Sequence, residues 1–455
     1  MEFIPHNYQK AAIDFVKQHP SAALLLDCGL GKTVILLTAN KEMRLASTLV
    51  VCPKLVVDSW LREVDKWDHL KDIKVVAVKG TVEQRMKALQ TPAHIHIISR
   101  DNIAWLAKLC DLNQFDMIVM DESSSFKDET SARTAALMNH PSPRKVILTG
   151  TPMPKNIEDL YSQYKILDGG KRLESTIDAF RRRYMFVEDY SKRKYKPLDG
   201  AEQTIYRRIG DITMSMKSDE LLHLPTLTNV TNEVYMTSEE QAIFDELRTN
   251  YSLEYDGVVI DADNSGVLTN KLAQLSNGFF YDKDKQPHFF HNHKTEMLES
   301  ILEASVGNGE DVIVAYNYQE DMDRIKDVCK RMNYPALDLK QSKNVAKFIE
   351  PGERRVALLH PKSGGMGLNL QEYCHRLVWY SLPYSYEEWY QTVKRVWRQG
   401  QKYTTYLHTI EAANSYDQRI RHIVNGKGEC NDRLIEATKC EIQEIVTAYR
   451  ARTAC

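Results

Sequence analysis

Residues 22–33, Ala-Ala-Leu-Leu-Leu-Asp-Cys-Gly-Leu-Gly-Lys-Thr, decide the fold. Five apolar residues run into Asp27, two glycines, a lysine and a threonine, and an apolar helical pattern follows. An unbroken apolar run closed by turn residues predicts a strand buried on both faces, as in a parallel sheet. The glycines let backbone N–H groups turn toward phosphate oxygens, Lys32 reaches the β- and γ-phosphates, and the Thr33 hydroxyl is placed to ligate Mg²⁺. Gly29, Gly31, Lys32 and Thr33 are therefore candidate nucleotide-binding residues. The loop is a shortened one, because Leu26 stands where the full phosphate-loop pattern has its first glycine. Taken alone, it competes with a chance Gly-x-Gly turn in an α/β protein.

Working outward, similar β-branched runs recur at Thr48–Cys52, Lys74–Val78, His94–Ser99, Met117–Asp121 and Lys145–Thr149, with helical patterns between them. Strands alternating with amphipathic helices predict a parallel sheet covered on both faces. The rhythm returns in Asp311–Tyr316, Arg355–His360, Arg376–Ser381 and Thr404–Thr409. The expected architecture is thus α/β with two lobes, 1–225 and 226–455, each a parallel sheet flanked by helices. Leu221–Thr237 reads as an extended crossing between them, with Pro225 discouraging helix at the residue before it. Asn431–Ala448 carries apolar residues at helical spacing and reads as a closing helix.

Two further segments carry chemistry. The apolar run Met117–Met120 ends in Asp121-Glu122, which places two carboxylates at the edge where parallel α/β folds bind ligands. Asp121 would hold Mg²⁺ and Glu122 would orient and deprotonate an attacking water. A capping turn explains such a pair equally well in isolation, but a phosphate loop upstream and Thr149-Gly150-Thr151-Pro152 downstream make three coincidences. Near the other end, Arg395 and Arg398 lie three apart and share one helix face if the segment is helical. Planar guanidinium groups suit phosphate oxygens, and arginines brought across a cleft stabilise charge on a transferring phosphoryl group.

The 455 residues include 60 Lys and Arg against 62 Asp and Glu, so the net charge of −2 does not advertise a nucleic-acid partner. Local charge carries that argument instead. Residues 171–217, expected as a mainly helical basic insertion, hold 12 Lys or Arg against 7 Asp or Glu, with tyrosines and phenylalanines between them. Arg181, Arg182 and Arg183 are the densest cluster, suited to a phosphate backbone or to an ordinary solvated face. Eight scattered cysteines form no Cys-x-x-Cys pair, so neither a zinc ribbon nor a disulfide framework is expected. With neither a leader pattern nor an apolar stretch of membrane-spanning length, the expectation is a cytoplasmic protein without a membrane partner.

Together these segments resemble the Swi/Snf-type branch of helicase superfamily two, in a compact phage-like or bacterial form, over nearly the whole chain. Tyr8-Gln9 is similar to that family's glutamine motif, which implies adenine recognition by Gln9. Val51-Cys52-Pro53-Lys54 resembles its motif Ia and Ile97–Asn102 falls at motif Ib, implying nucleic-acid contacts by Lys54, Ser99 and Arg100. The stretch 363–371 resembles motif V, with Ser363 and Gly364 toward nucleic acid and Gly367 toward nucleotide, and 391–401 resembles motif VI, beside which Trp389 is a candidate base-stacking residue. The resemblance implies two RecA-like lobes, ATP and Mg²⁺ as cofactors, and a DNA-dependent ATPase that translocates on and remodels duplex or branched DNA through phosphate contacts. Targeting is expected from a partner, such as a nuclease, recombination or replication protein, or from the basic insertion. An RNA helicase, or a regulatory DNA clamp with little turnover, are the alternatives. Three departures stand out: Ser123-Ser124 for Ala-His after the acidic pair, Lys394 for a common acidic residue, and Ser381 for a frequent Asp.

Overall fold

The computed structural model describes residues 1–438 apart from 141, 190–193, 351, 353–354 and 363–367. It contains two compact units, Met1–Leu222 with Lys427–Cys455, and His223–Gly426. In the first, strands β1 (Ser21–Leu26), β2 (Thr48–Cys52), β3 (Val75–Val78), β4 (Ile95–Ser99), β5 (Met117–Asp121) and β6 (Arg144–Leu148) precede a hairpin of β7 (Met185–Asp189) and β8 (Lys194–Pro197), and β9 (Thr213–Met216) follows. The main sheet has the order β3-β4-β2-β5-β6-β1-β9, parallel throughout.

Successive strand residues face opposite sides, so each apolar run fills two cores. Ala23, Leu25, Val51, Ile118, Met120 and Ile147 face one, while Ala22, Leu24, Leu26, Val50, Val119 and Val146 face the other. The expected insertion resolves into helices Ile177–Tyr184 and Ala201–Ile209 around the β7–β8 hairpin. Its last residues are a correction to that expectation. Met214 and Met216 are buried and β9 pairs with β1, so 213–216 belong to the lobe's own sheet.

The second unit is another parallel sheet, built from β10 (Leu227–Val234), then, beyond two short hairpins, β11 (Ser252–Tyr255) with β12 (Val258–Asp261) and β13 (Phe279–Tyr281) with β14 (Pro287–Phe289), from β15 (Val312–Ala315), β16 (Ala336–Asp338), β17 (Val356–Leu359), β18 (Arg376–Trp379) and β19 (Thr405–Ala412). Its order is β10-β19-β18-β15-β17-β16. About half of the stretch expected as an extended crossing is a strand of this sheet, since β10 pairs with β19 from Leu227↔Thr405 to Val234↔Ala412. The C-terminal helix starts earlier than expected, at Tyr416, and is described to Ala437; residues 439–448 of the expected helix lie outside the described residues. From Lys427 the chain groups with the first unit and not with 226–455, because Asn431 and Leu434 are buried there and Arg433 and Asp432 pair with Glu202 and Lys217. No helix among the described residues is long and apolar enough to cross a membrane.

In the second unit a buried ion pair joins the start of helix His293–Gly307 to the start of the C-terminal helix. Lys294 Nζ lies 2.6 Å from Asp417, the two side chains being 0% and 4% exposed, and also donates to the Asn277 side chain at 2.7 Å. Removing one partner strands a buried charge, so Asp417→Ala should cost about 3–5 kcal/mol. The double replacement Lys294→Met/Asp417→Leu should recover most of that loss in thermal unfolding. A single variant as stable as the parent would contradict this account.

Candidate active site

The loop after β1 takes the shape that its glycines allow. Gly29 and Gly31 have φ of 91° and 77°, and Gly31 caps helix Lys32–Met43. A Cβ on Gly31 would sit 2.7 Å from the Gln9 Nε2 and would be strained at this positive φ, so a side chain here would displace the Gln9 amide. Gln9 is buried against the loop: its amide donates to the Leu30 carbonyl at 3.5 Å and its oxygen accepts from the His6 N–H. Lys32 Nζ donates to the carbonyls of Leu26 at 2.9 Å and Asp27 at 3.4 Å. Burial opposes its charge, but Cys28, Glu122, Asp121 and Asp27 around it outweigh that, and its pKa is raised.

Strand order puts β6 between β1 and β5, so the loops after all three strands share one sheet edge. Gly150, after β6, packs against the phosphate loop, where a Cβ would meet the Leu26 carbonyl at 3.4 Å. At the end of β5, Asp121 is buried and accepts from the Trp60 indole N–H at 2.8 Å and from the Glu122 N–H at 3.1 Å. Burial pushes its carboxyl pKa up, against the Trp60 hydrogen bond and the Lys32 charge. Glu122 has φ of 52°, a left-handed conformation for a residue with a side chain. Such backbone costs on the order of 1–3 kcal/mol and collects at functional sites. Here the Ser125 N–H, donated to the Glu122 carbonyl at 3.1 Å, helps to hold it.

Gln9, Gly29, Gly31, Lys32, Thr33, Asp121 and Glu122 thus come together in the first unit. The positive-φ glycines at a helix N-terminus, the Lys32 ammonium and the hard oxygens of Thr33 and Asp121 are groups that could hold a nucleotide phosphate with Mg²⁺. Two partners escaped sequence reasoning. Trp60 reads as a core residue of helix Val57–Lys66, which it is, yet its N–H also orients Asp121. Asp27 accepts from the Cys28 N–H at 2.6 Å and from the N–H and hydroxyl of Ser218, tying the phosphate loop to the segment after β9.

In the second unit the arginines are arranged differently from the expectation. The helix Tyr386–Val396 ends between them, so Arg395 lies in its last turn and Arg398 beyond it, not on one helical face. Both nevertheless reach the same strip of chain: Arg395 donates to the Leu368 carbonyl at 3.4 Å and Arg398 to the Asn369 side chain at 2.6 Å. Trp389 is partly buried, packed on the core and stacked with Tyr386 at 6.0 Å. Ser363, Gly364 and Gly367 lie outside the described residues.

Lys54 is exposed just after β2, and Ser99 and Arg100 stand at the end of β4, at the same sheet edge as the phosphate loop. Ser99 is buried and bonded to Asp101. The arginine triplet is not the free cluster that the charge count suggested. Arg181 makes two bonds to Glu158, at 3.1 and 2.8 Å, and Arg183 pairs with Glu174 at 2.8 Å. Arg182 is exposed and, among the described residues, makes no ion pair.

The SNF2-related domain family matches residues 8–295. The chain belongs to that family. It is an Snf2-family ATPase of helicase superfamily two, with two RecA-like lobes. Among its relatives, the putative protein p41 of Acyrthosiphon pisum secondary endosymbiont phage 1 is 30% identical over 96% of this chain and 99% of its own length. The DNA repair and recombination protein RAD54-like of Gallus gallus is 22% identical, over 87% of this chain. The chain spans only 61% of that protein's length. Among solved structures, the Sulfolobus solfataricus SWI2/SNF2 ATPase core in complex with dsDNA aligns over 98% of both chains at 18% identity, with a TM-score of 0.45.

The Trp60 bond carries a prediction for this Snf2-family site. Its N–H favours the ionised form of Asp121, so Trp60→Phe raises that carboxyl's pKa further, and activity that needs the carboxylate is lost as pH falls through the higher value. The acidic limb of the ATP hydrolysis profile should move to higher pH. A superimposable profile would mean that Trp60 acts by packing alone.

Proposed function

We propose that this chain is a DNA-dependent ATP hydrolase that translocates on duplex or branched DNA and remodels it. The observation that carries the chemistry is the meeting of Lys32 with Asp121 and Glu122 at one sheet edge, where the two carboxylates help to keep the lysine charged. In this reading Lys32 leaves the Leu26 and Asp27 carbonyls for the β- and γ-phosphate oxygens when ATP binds. Thr33 and Asp121 would hold Mg²⁺, which when bound neutralises charge on the transferring phosphoryl group. The Glu122 carboxylate orients the attacking water and accepts its proton. Gln9 recognises adenine, as its family motif implies, and motif V implies a nucleotide-binding role for Gly367.

Arg395 and Arg398 would stabilise negative charge as the phosphoryl group transfers, the role that the resemblance to motif VI implies. DNA is held through its phosphates by Lys54, Ser99 and Arg100 in the first lobe and by Ser363 and Gly364 in the second, which makes binding tolerant of sequence. The RAD54-like relatives are named for DNA repair and recombination, which favours DNA over RNA. A nuclease, recombination or replication protein is the partner class that fits such a role. ATP turnover measured with single-stranded, duplex and branched DNA and with RNA tests the reading. Duplex or branched DNA should stimulate most, and stimulation by RNA alone would overturn it.

Glu122→Gln should keep nucleotide affinity and lose steady-state turnover, because shape is preserved while the base is removed. Lys32→Ala should weaken nucleotide binding itself. Arg395→Ala or Arg398→Ala should lower turnover with binding largely retained, by up to about 10³-fold or more if they act as trans arginines do elsewhere. Normal hydrolysis in the doubly substituted chain would assign motif VI a structural role.

Pairing also sharpens the expectation for the basic insertion. With Arg181 and Arg183 held by carboxylates, Arg182 is the member of the triplet available to a phosphate. Arg182→Ala should weaken binding to all sequences alike and flatten its salt dependence by about 0.9 log units for one lost duplex-phosphate contact. Basal ATP hydrolysis should be unchanged. An unaltered salt slope would remove the insertion from the DNA path.

A further inference from the structure

Behind the Asp121-Glu122 pair runs a line of buried polar groups that the proposed chemistry does not use. Ser123, one of the residues standing in place of the family's Ala-His, is 1% exposed and donates its hydroxyl proton to the Gln163 Oε1 at 2.7 Å. Gln163 is fully buried in helix Asp159–Asp168, and its Nε2 donates to the Pro152 carbonyl at 2.8 Å and to the Asp159 carbonyl at 2.8 Å. Its amide is thereby satisfied in both directions. One residue on, Met153 is bound on both backbone groups by Asn431 of the C-terminal helix: its N–H donates to Asn431 Oδ1 at 2.9 Å and its carbonyl accepts from Asn431 Nδ2 at 2.8 Å. Asn431 is 1% exposed and also donates to the Lys427 carbonyl at 2.9 Å.

We infer that Ser123, Gln163 and Asn431 are positioning residues, a buried relay that fixes the Glu122 backbone relative to the 149–153 loop and to the end of the C-terminal helix. The inference rests on Glu122 acting as the base. Glu122 sits in a left-handed backbone conformation immediately before Ser123, so its carboxylate direction depends on how its neighbours are anchored. Ser123 is that anchor, and Gln163 joins it to Pro152, at the loop whose Gly150 packs on the phosphate loop. A hydroxyl and an amide pair only with each other's geometry here, because an apolar partner on either side would leave a buried polar atom unmatched. Asn431 extends the anchor to a segment more than 270 residues away in the chain.

The test compares Ser123→Ala, Gln163→Leu, their double variant, Ser123→Thr and Asn431→Ala in the full chain, with Glu122→Gln alongside. Readouts are kcat and KM for ATP, affinity for a fluorescent ATP analogue, and melting temperature. Misplacing the base should lower kcat about tenfold in Ser123→Ala and Gln163→Leu while KM and analogue affinity stay within about twofold. The double variant should be no slower than the slower single one, because one link cannot be broken twice. Ser123→Thr, which keeps the hydroxyl, should restore kcat. Ser123→Ala removes a single oxygen, so it keeps the test open even if Gln163→Leu fails to fold. A folded Ser123→Ala with unchanged kcat, or single effects that multiply, would overturn the relay, and an unchanged Asn431→Ala would overturn its extension to the helix. If Glu122→Gln also turned over normally, the error would lie in the assignment of the base and the relay would fall with it.

Discussion

Lys32 carries a positive charge into a half-buried loop, and the surrounding lobe is arranged so that the charge survives there. Burial alone favours the neutral amine. The balance is restored by Glu122, Asp121, Asp27 and Cys28, which come from the ends of two strands separated by a third. Only a parallel register brings those ends to one edge, and only strands apolar on both faces can form the middle of such a sheet. Every residue of β2, β4 and β5 is buried, which is why charged groups are met where the strands stop.

The same rule explains what was legible in the sequence. β1, β2 and β5 are dense apolar runs, and each announces a carboxyl end with Asp, Pro or Glu close behind. The candidate nucleotide-site residues stand out because backbone geometry at a strand end tolerates few alternatives. β9 and β10 were harder. Thr213–Met216 is short and half polar, while Leu227–Val234 is a sheet-edge strand with alternating exposure, so neither has the apolar density of a central strand.

Pairing was illegible for a different reason. A charge count treats Arg181, Arg182 and Arg183 alike, yet their fates depend on Glu158 and Glu174, which only the folded helices bring near. Likewise Trp60 fits the apolar face of its helix, and nothing in that pattern tells that its N–H ends on Asp121. Helical spacing of Arg395 and Arg398 suggested a shared face, but the helix stops at Val396 and the chain turns, so the two guanidinium groups converge on residues 368–369 by another route.

The departures from the family pattern are where local chemistry becomes specific to this chain. Ser381, where an Asp is frequent, donates to the buried Asp321 carboxylate at 2.6 Å, so the negative charge comes from the helix Gln319–Arg331 instead of the loop after β18. Ser123 donates to Gln163 in the same manner. In both places a neutral hydroxyl fills a position that the family pattern gives to another residue, and a partner on a neighbouring helix accepts its proton. A hydroxyl, an amide and backbone carbonyls have no proton to gain or lose near neutral pH. Behind Glu122 the supporting groups Ser123, Gln163 and Asn431 therefore hold one charge state across the working range.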